Sequence, residues 1–299
     1  MLSALPAPLL GLIASTLMLL NILFWVPILL AVSIIKLLLP FKHVRLWIDP
    51  LLLRIAEAWI AGNSGWMRLT QKLDWDVTGM ESLSPRQWYL VVCNHQSWVD
   101  ILVLQHVFNR RIPLLKFFLK KELIWVPIMG LAWWALEFPF MRRRSEAYLR
   151  QHPEERGQDA ATTRAACEKY ALVPTSVMNF LEGTRFTAAK HKRQQSPYQH
   201  LLKPKAGGIT LALDAMGEKF GAVLDVTIAY PDGRPSFLQF LQGHVRQVRV
   251  HVRTLPVPRL PNDAVQTEAA RRELCQNWVN QLWQDKDQLL SSYATKTRG

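Results

Sequence analysis

The sequence predicts an α/β fold: a mixed, mainly parallel sheet flanked by helices, with a membrane-embedded helix or helical hairpin at its N-terminus. Two observations predict the sheet domain. From Lys72 onward, apolar runs of strand length alternate with segments of helical period, the pattern of an α/β layer. Hydrophobic residues make up 49% of the 299 positions, enough to exclude global disorder and to fill a sizeable core. A third observation predicts the anchor. Residues 1–35 contain no Asp, Glu, Lys, Arg or His, and Lys36 is the first charged side chain.

The elements follow in chain order. Leu9–Ile35 is almost wholly apolar, with Asn21 its most polar member. As a helix it would extend about 40 Å, enough to cross a hydrocarbon core of about 30 Å. A cleaved signal peptide would need a basic leader, and Met1–Pro8 has no Lys or Arg. Pro27 either kinks one tilted helix or marks the bend of a re-entrant hairpin. Residues 1–40 are therefore read as the anchor. Residues 41–71 are read as an interfacial amphipathic helix, with Leu51, Leu52, Ile55, Trp59 and Ile60 on its apolar side from Pro50 onward.

Residues 72–299 are read as the main domain. Strands are expected at Lys72–Thr78, Trp88–Cys93, Leu136–Met141, Thr175–Leu181, Ala222–Tyr230 and His244–Val252, and Ile112–Phe118 is a further mostly apolar run. Val245 falls out of phase with Val248, Val250 and Val252. Helices are expected at Ser97–Phe108 and Gly208–Phe220, and a long C-terminal helix over 263–290, capped by Asp263. Leu123–Phe140 holds Trp125, Trp133 and Trp134. It reads either as a core helix followed by a core strand or as a membrane-embedded or interfacial element.

Charge and cysteine usage exclude several classes. There are 36 Lys and Arg against 23 Asp and Glu, a net +13. Between Met141 and Lys205 the count is 13 against 6, so anionic substrates and an anionic leaflet would be drawn there. Nucleic acid is not the expected partner, because no nucleic-acid motif accompanies the basic charge. The three cysteines lie far apart and form no Cys-x-x-Cys pair, which excludes a disulfide scaffold and a redox or zinc motif. Twelve tryptophans suit a membrane–water boundary. The Lys36, Lys42, His43 and Arg45 flank places the main domain on the cytoplasmic side.

Two constellations carry chemistry. Trp88–Cys93 delivers the chain into Asn94-His95-Gln96-Ser97-Trp98-Val99-Asp100. On one continuous helix, His95 and Asp100 would face apart by about 140°. They meet if His95 lies in the loop and Asp100 in the first helical turn. Asp100 could then fix the imidazole tautomer and leave the other nitrogen to take a proton from an alcohol. The second constellation is Phe180-Leu181-Glu182-Gly183-Thr184-Arg185, again after a strand. Here Gly183 permits a sharp turn, Thr184 offers a hydroxyl and Arg185 a planar fork suited to phosphate. Neither a Gly-x-Ser-x-Gly elbow, a His-Glu-x-x-His zinc site nor a P-loop is present.

Together these blocks resemble the glycerolipid acyltransferase family, in particular its 1-acylglycerol-3-phosphate O-acyltransferase branch. Asp74–Leu83, Leu119–Gly130 and Phe140-Met-Arg-Arg143 resemble further blocks of the family in order. Leu202–Gly208 and Val223–Pro231 are similar to blocks of its lysophospholipid and lysocardiolipin acyltransferase subgroup. Two positions depart from the pattern: Leu181 stands where proline is usual, and Asp225-Val-Thr-Ile replaces the Pro-bearing fourth motif.

The resemblance implies that residues 72–299 are an acyltransferase domain. His95 would be the general base on the sn-2 hydroxyl of lysophosphatidic acid or a related lysophospholipid, and Asp100 would orient it. Arg142, Arg143, Glu182, Gly183, Thr184 and Arg185 would position the glycerol phosphate, with Lys120 and Lys121 assisting. Acyl-CoA or acyl carrier protein would bring the acyl group as co-substrate, with no resident cofactor and no metal. The expected partners are membrane lipids, lysophospholipid and the acyl donor. The expected location is a bacterial inner membrane, with the catalytic domain facing the cytoplasm. The alternatives are another lysolipid acceptor, a thioester hydrolase using the same pair, and an inactive lipid-binding homologue.

Overall fold

A computed structural model describes residues 2–39, 41–141, 148, 151–152, 158–259 and 268–296. The chain opens with two long helices, α1 (Ala7–Leu38) and α2 (Lys42–Thr70). There follow β1 (Asp74–Thr78), β2 (Trp88–Cys93), α3 (Val99–Phe108), β3 (Leu115–Phe117), β4 (Leu119–Lys120), α4 (Met129–Ala135) and β5 (Phe140–Met141). Next come α5 (Gln158–Tyr170), β6 (Ser176–Phe180), α6 (Ala188–Gln194), α7 (Gly207–Met216) and β7 (Phe220–Ala229). The chain continues through α8 (Phe237–Leu241), β8 (Gln247–Leu255) and α9 (Glu268–Lys296).

Six strands form one sheet in the order β1-β8-β7-β2-β6-β3. Every neighbouring pair is parallel except β7 and β8, so the sheet is mixed and mainly parallel. Central β2 is buried on both faces, as its unbroken apolar run requires. Tyr89, Val91 and Cys93 face one core with α3, while Leu90 and Val92 face the other with α5, α7 and α9. All three cysteines, Cys93, Cys167 and Cys275, are free and buried in these two cores.

The N-terminal helices pack against each other as an antiparallel pair. Asn21 resolves its polarity here: its amide donates to the Trp59 carbonyl at 3.0 Å and to Asn63 Oδ1 at 2.9 Å. Gly62 leaves the space, since a Cβ there would stand 2.1 Å from Asn21 Oδ1. Pro27 lies inside one continuous α1. The chain reverses between Leu38 and Lys42, so the Pro27 hairpin bend is not what forms. Only one helix, α1, is long and apolar enough to cross a membrane among the described residues, and little of it is buried. α2 begins eight residues before Pro50 and carries that proline within it. Its buried face holds Leu52, Ile55, Trp59 and Ile60, whereas Leu51 is exposed.

Three expectations need correction. Leu123–Phe140 is a short helix followed by a short strand, as one of its two readings had it, but the helix fills only part of the run. A 3-10 turn (Lys121–Trp125) is followed by the short α4. Pro127 and the left-handed Ile128 (φ 65°) break the run. Gly130 lets the two pieces touch, as a Cβ there would sit 1.9 Å from the Ile124 carbonyl oxygen. The expected strand at Leu136–Met141 shrinks to β5, because Leu136 closes α4 and Glu137 is left-handed (φ 59°). The helix expected to reach Phe220 stops at Met216, and Phe220 opens β7.

Smaller shifts occur at the C-terminal end. β8 starts after Val245, which is why that residue was out of phase. α9 is described from Glu268 to Lys296, six residues past the expected end at 290, and Asp263 lies outside the described residues. α9 is locked to the sheet by a buried ion pair. Lys286 Nζ lies 2.7 Å from Asp225 Oδ1 and donates to the Val226 carbonyl and Thr227 Oγ1. Arg253 of β8 reaches the other Asp225 oxygen at 2.7 Å and Asp285 at 2.9 Å.

Candidate active site

β2 ends in the centre of the sheet, and the loop Asn94–Trp98 leads into α3. Asn94 fixes that loop. Its amide donates to the Ile228 carbonyl and its oxygen accepts from the Ile228 N–H, both at 2.9 Å. The side chain thus takes the place of a strand neighbour beside β7. Ser97 adds a bond from its hydroxyl to the Pro235 carbonyl at 2.6 Å.

His95 and Asp100 meet because the first is in the loop and the second in the first turn of α3. His95 Nδ1 lies 2.9 Å from Asp100 Oδ2. The same oxygen accepts the backbone N–H groups of Gln96 (2.6 Å) and Ser97 (2.9 Å). Asp100 Oδ1 accepts the Tyr230 hydroxyl at 2.7 Å. Asp100 is fully buried, yet four donors and the N-terminus of α3 compensate its charge. An ionised Asp100 accepts from Nδ1–H, which leaves Nε2 as an acceptor. The imidazole lies flat against Phe180, with ring centroids 3.9 Å apart and planes 13° apart. Its orientation is therefore set by an anion at one edge and an aromatic face beneath.

The second loop is joined to the first. The Phe186 N–H donates to the His95 carbonyl at 2.8 Å, and the His95 N–H donates to Glu182 Oε1 at 3.3 Å. Gly183 makes the turn at φ 65°, a conformation that favours glycine. Glu182 is only 1% exposed and points into the protein. Burial pushes its carboxyl up to about 8, against the lowering effect of the His95 N–H. Its partners are backbone groups, the N–H of His95 and that of Leu202.

Thr184 accepts from Lys190 Nζ at 2.7 Å, and the same ammonium donates to the Arg185 carbonyl at 3.0 Å. The Arg185 guanidinium lies over the Trp98 ring at 4.5 Å, half-buried beside the His95 loop. Lys120 and Lys121 are exposed at β4 and the turn that follows it. Pairing of Lys120 with Met141 sets that lysine beside the residue that precedes Arg142. Arg142 and Arg143 lie outside the described residues.

Sequence reasoning gave no role to four members of this cluster, of which Phe180 stood within a quoted constellation. Tyr230 reaches it from the position after β7, Phe180 from β6, Arg234 from the loop that follows β7 and Lys190 from α6. Arg234 donates to Gln96 Oε1 and stacks its guanidinium 3.7 Å from the Phe186 ring centre. Tyr230 was within a block already singled out, but an aromatic at a strand end carries no mark of its hydrogen bond.

An apolar cavity of about 570 Å³ opens beside Trp98. Ile101 and Leu102 of α3, Met18 and Ile22 of α1, and Trp133 of α4 contribute to its wall. Trp98 is shared, since it lines the cavity and also carries Arg185. Among the described residues no group of three His, Cys, Asp or Glu side chains could hold a metal ion.

Comparison with known proteins supplies the family. The sequence profile of the family described as Acyltransferase matches residues 74–231. Mouse 1-acyl-sn-glycerol-3-phosphate acyltransferase gamma is 28% identical over 225 residues, covering 71% of this chain and 54% of its own. The human gamma protein is 27% identical over 255 residues, covering 77% and 62%. The rat delta protein is 28% identical over 216 residues, covering 68% and 52%. The matches thus span about half to three-fifths of these relatives. The crystal structure of the 1-acyl-sn-glycerophosphate (LPA) acyltransferase PlsC from Thermotoga maritima aligns with a TM-score of 0.54 at 19% identity, over 93% of this chain and 96% of that one. At that identity the likeness speaks to the fold. The profile spans more than half of the chain and takes in both the His95 and the Glu182 loops, and the protein belongs to the acyltransferase family.

Proposed function

We propose that this protein moves a fatty acyl group from an acyl thioester to the sn-2 hydroxyl of lysophosphatidic acid or a related lysophospholipid. The product would be phosphatidic acid or its counterpart. The observation that carries this reading is the His95 Nδ1–Asp100 Oδ2 contact of 2.9 Å with Nε2 left as an acceptor. A base of this kind suits attack by an alcohol, and the neighbouring apolar cavity suits an acyl chain. The names of the gamma and delta relatives support the same acceptor.

Each proton has a place in the reaction. Nε2 of His95 takes the hydroxyl proton as the oxygen attacks the thioester carbonyl. Asp100 stabilises the resulting imidazolium. The tetrahedral intermediate collapses, the C–S bond breaks, and the thiolate of coenzyme A or the carrier protein leaves with the proton His95 returns. No enzyme-bound acyl intermediate is needed. Arg185, held at the mouth by Trp98, is suited to grip the acceptor phosphate with its fork. Arg142 and Arg143 are proposed for the same task. Glu182 and Gly183 hold the loop that presents Arg185, and Thr184 with Lys190 fixes its backbone.

The protein is proposed to work at a membrane, with the α1–α2 pair as anchor and the main domain on the cytoplasmic side of a bacterial inner membrane. α1 exposes Leu12, Leu20, Phe24 and Leu38 to the outside, which supports an apolar solvent around it. The test uses the full chain in detergent with lysophosphatidic acid and labelled acyl-CoA or acyl carrier protein. Labelled phosphatidic acid that disappears with His95→Ala is the expected result. Release of free fatty acid at the same rate with and without the acceptor would instead identify a hydrolase and overturn the reading.

A further inference from the structure

A second cavity, of about 490 Å³, lies on the far side of α3 from the first. Leu102, Gln105 and Phe108 of that helix face the first cavity, whereas His106 and Val107 face the second. Its other walls are the end of α2 and the edge strand β1. β1 runs antiparallel to β2, because it is parallel to β8 and β8 opposes β7. Val77 and Met80 of this cavity therefore extend toward the end of the sheet opposite to the one that carries His95, whereas Lys72 and Leu73 stand at the same end as His95 but on the edge strand.

The lining has a definite chemistry. Leu73, Trp75 and Val77 point in by strand alternation, together with Met67 and Met80. The same alternation turns Asp74 and Asp76 to the other face, where they meet Gln247 and Arg249. Three cations then border the cavity from three separate stretches: Arg68 of α2, Lys72 of the following loop and Arg111 beyond α3. Among the described residues no carboxylate lines the cavity, and none of the three cations is in an ion pair. Arg110, left-handed at φ 62° two residues past the end of α3, turns its own side chain to Glu57. Arg111 is thereby left for this cavity.

His106 reports the imbalance. Its ring packs on Trp75 at 4.4 Å and its Nδ1 meets Ser64 Oγ at 2.8 Å. Burial lowers its affinity for a proton, and Arg68 and Arg111 lower it further. Unneutralised like charges around a partly apolar pocket of ligand size are the footprint of an anion with an apolar part.

We propose that this groove binds the phosphate ester of an anionic amphiphile, a phospholipid of the surrounding bilayer. Arg68, Lys72 and Arg111 hold the phosphate, and Trp75, Met67 and Met80 receive the glycerol and the first part of a chain. The lipid source follows from the place of the groove. It takes in the last turn of α2, the second helix of the proposed anchor, and Leu69, next to Arg68, is an exposed apolar residue. The groove is distinct from the His95 site, so the inference stands whichever acyl acceptor the enzyme uses.

The experiment follows the His106 ring signals by NMR in the full chain in detergent, assigned by their loss in His106→Gln. The probes are short-chain phosphatidylglycerol, short-chain phosphatidylcholine and glycerol 3-phosphate. Phosphatidylglycerol is expected to shift the His106 signals in a saturable way and to raise the pH at which the ring takes its proton. Phosphatidylcholine should bind more weakly. The combined Arg68→Gln, Lys72→Gln and Arg111→Gln variant should weaken phosphatidylglycerol binding about a hundredfold, at about fivefold per cation. Unmoved His106 signals at saturating phosphatidylglycerol would overturn the site, and that result needs no variant to fold. A response to glycerol 3-phosphate that the lipid does not share would overturn the membrane source.

Discussion

Four hydrogen-bond donors converge on the two oxygens of the fully buried Asp100. This sets what a single change there does. Asp100→Asn keeps the volume but can turn an amide N–H toward His95, which favours the wrong tautomer. Acyl transfer should fall by about 10²–10⁴-fold with the fold intact, and His95→Ala by at least as much; initial rates on samples of matched thermal unfolding check both. Glu182 makes a different prediction. Its carboxyl takes a proton up to about pH 8 when folded, against an ordinary value of 4.5. Between those pH values the folded protein holds a proton that the unfolded chain has released, so this group makes stability fall as pH rises. Glu182→Gln keeps an acceptor for the His95 N–H and removes the titration. The variant should therefore gain thermal stability relative to the parent as pH goes from 5 to 9, as melting curves across that range would record. Much of this residue-scale picture was legible in advance. The spacing left the His95 and Asp100 contact open, since they meet only from a loop-to-helix placement, and the family resemblance singled it out. Tyr230 and Arg234 were not legible, since their bonds depend on β7 lying beside β2, a long-range fact no local pattern carries.

At the scale of elements, α9 sets Cys275, Val279, Leu282 and Trp283 into the core and also carries a charge to the centre of the protein. Lys286 is buried and faces Asp225 of β7, with Arg253 closing the other side. Lys286→Met would leave a buried carboxylate with one partner, and such losses cost about 3–5 kcal/mol. Adding Asp225→Asn should recover part of that loss, and urea unfolding of the single and double variants measures it. The sequence marked Asp225 as a departure from the family pattern, but nothing in the long polar C-terminal helix singled out Lys286 from its neighbours. Element boundaries failed for local reasons of another kind. Leu123–Phe140 reads as a continuous apolar segment, yet Pro127, the left-handed Ile128 and Gly130 fold it into two short pieces. The strands of the main sheet were legible because β2, β6 and β7 are apolar runs with turn residues at their ends.

For the whole molecule, apolar side chains reach the outer surface on the outward side of α1, at the start of α2 (Leu46 and Trp47) and in the turn into α4, among other places. Trp125 is 84% exposed, with Leu131 and Trp134 close behind in the chain. The outward side of α1 and the turn into α4 suit one bilayer surface with the basic residues around it. Trp125→Ser combined with Leu131→Ser should weaken binding to anionic vesicles about tenfold or more, while turnover in detergent stays unchanged; flotation assays and detergent kinetics separate the two effects. The burial of Cys93, Cys167 and Cys275 has a bearing on how that surface can be mapped. The native fold already offers thiol reagents nothing to attack, so no cysteine has to be removed before a label is introduced. Trp125→Cys would carry a single fluorophore or spin probe, and quenchers placed at graded depths in the lipid would read off how far this face sinks.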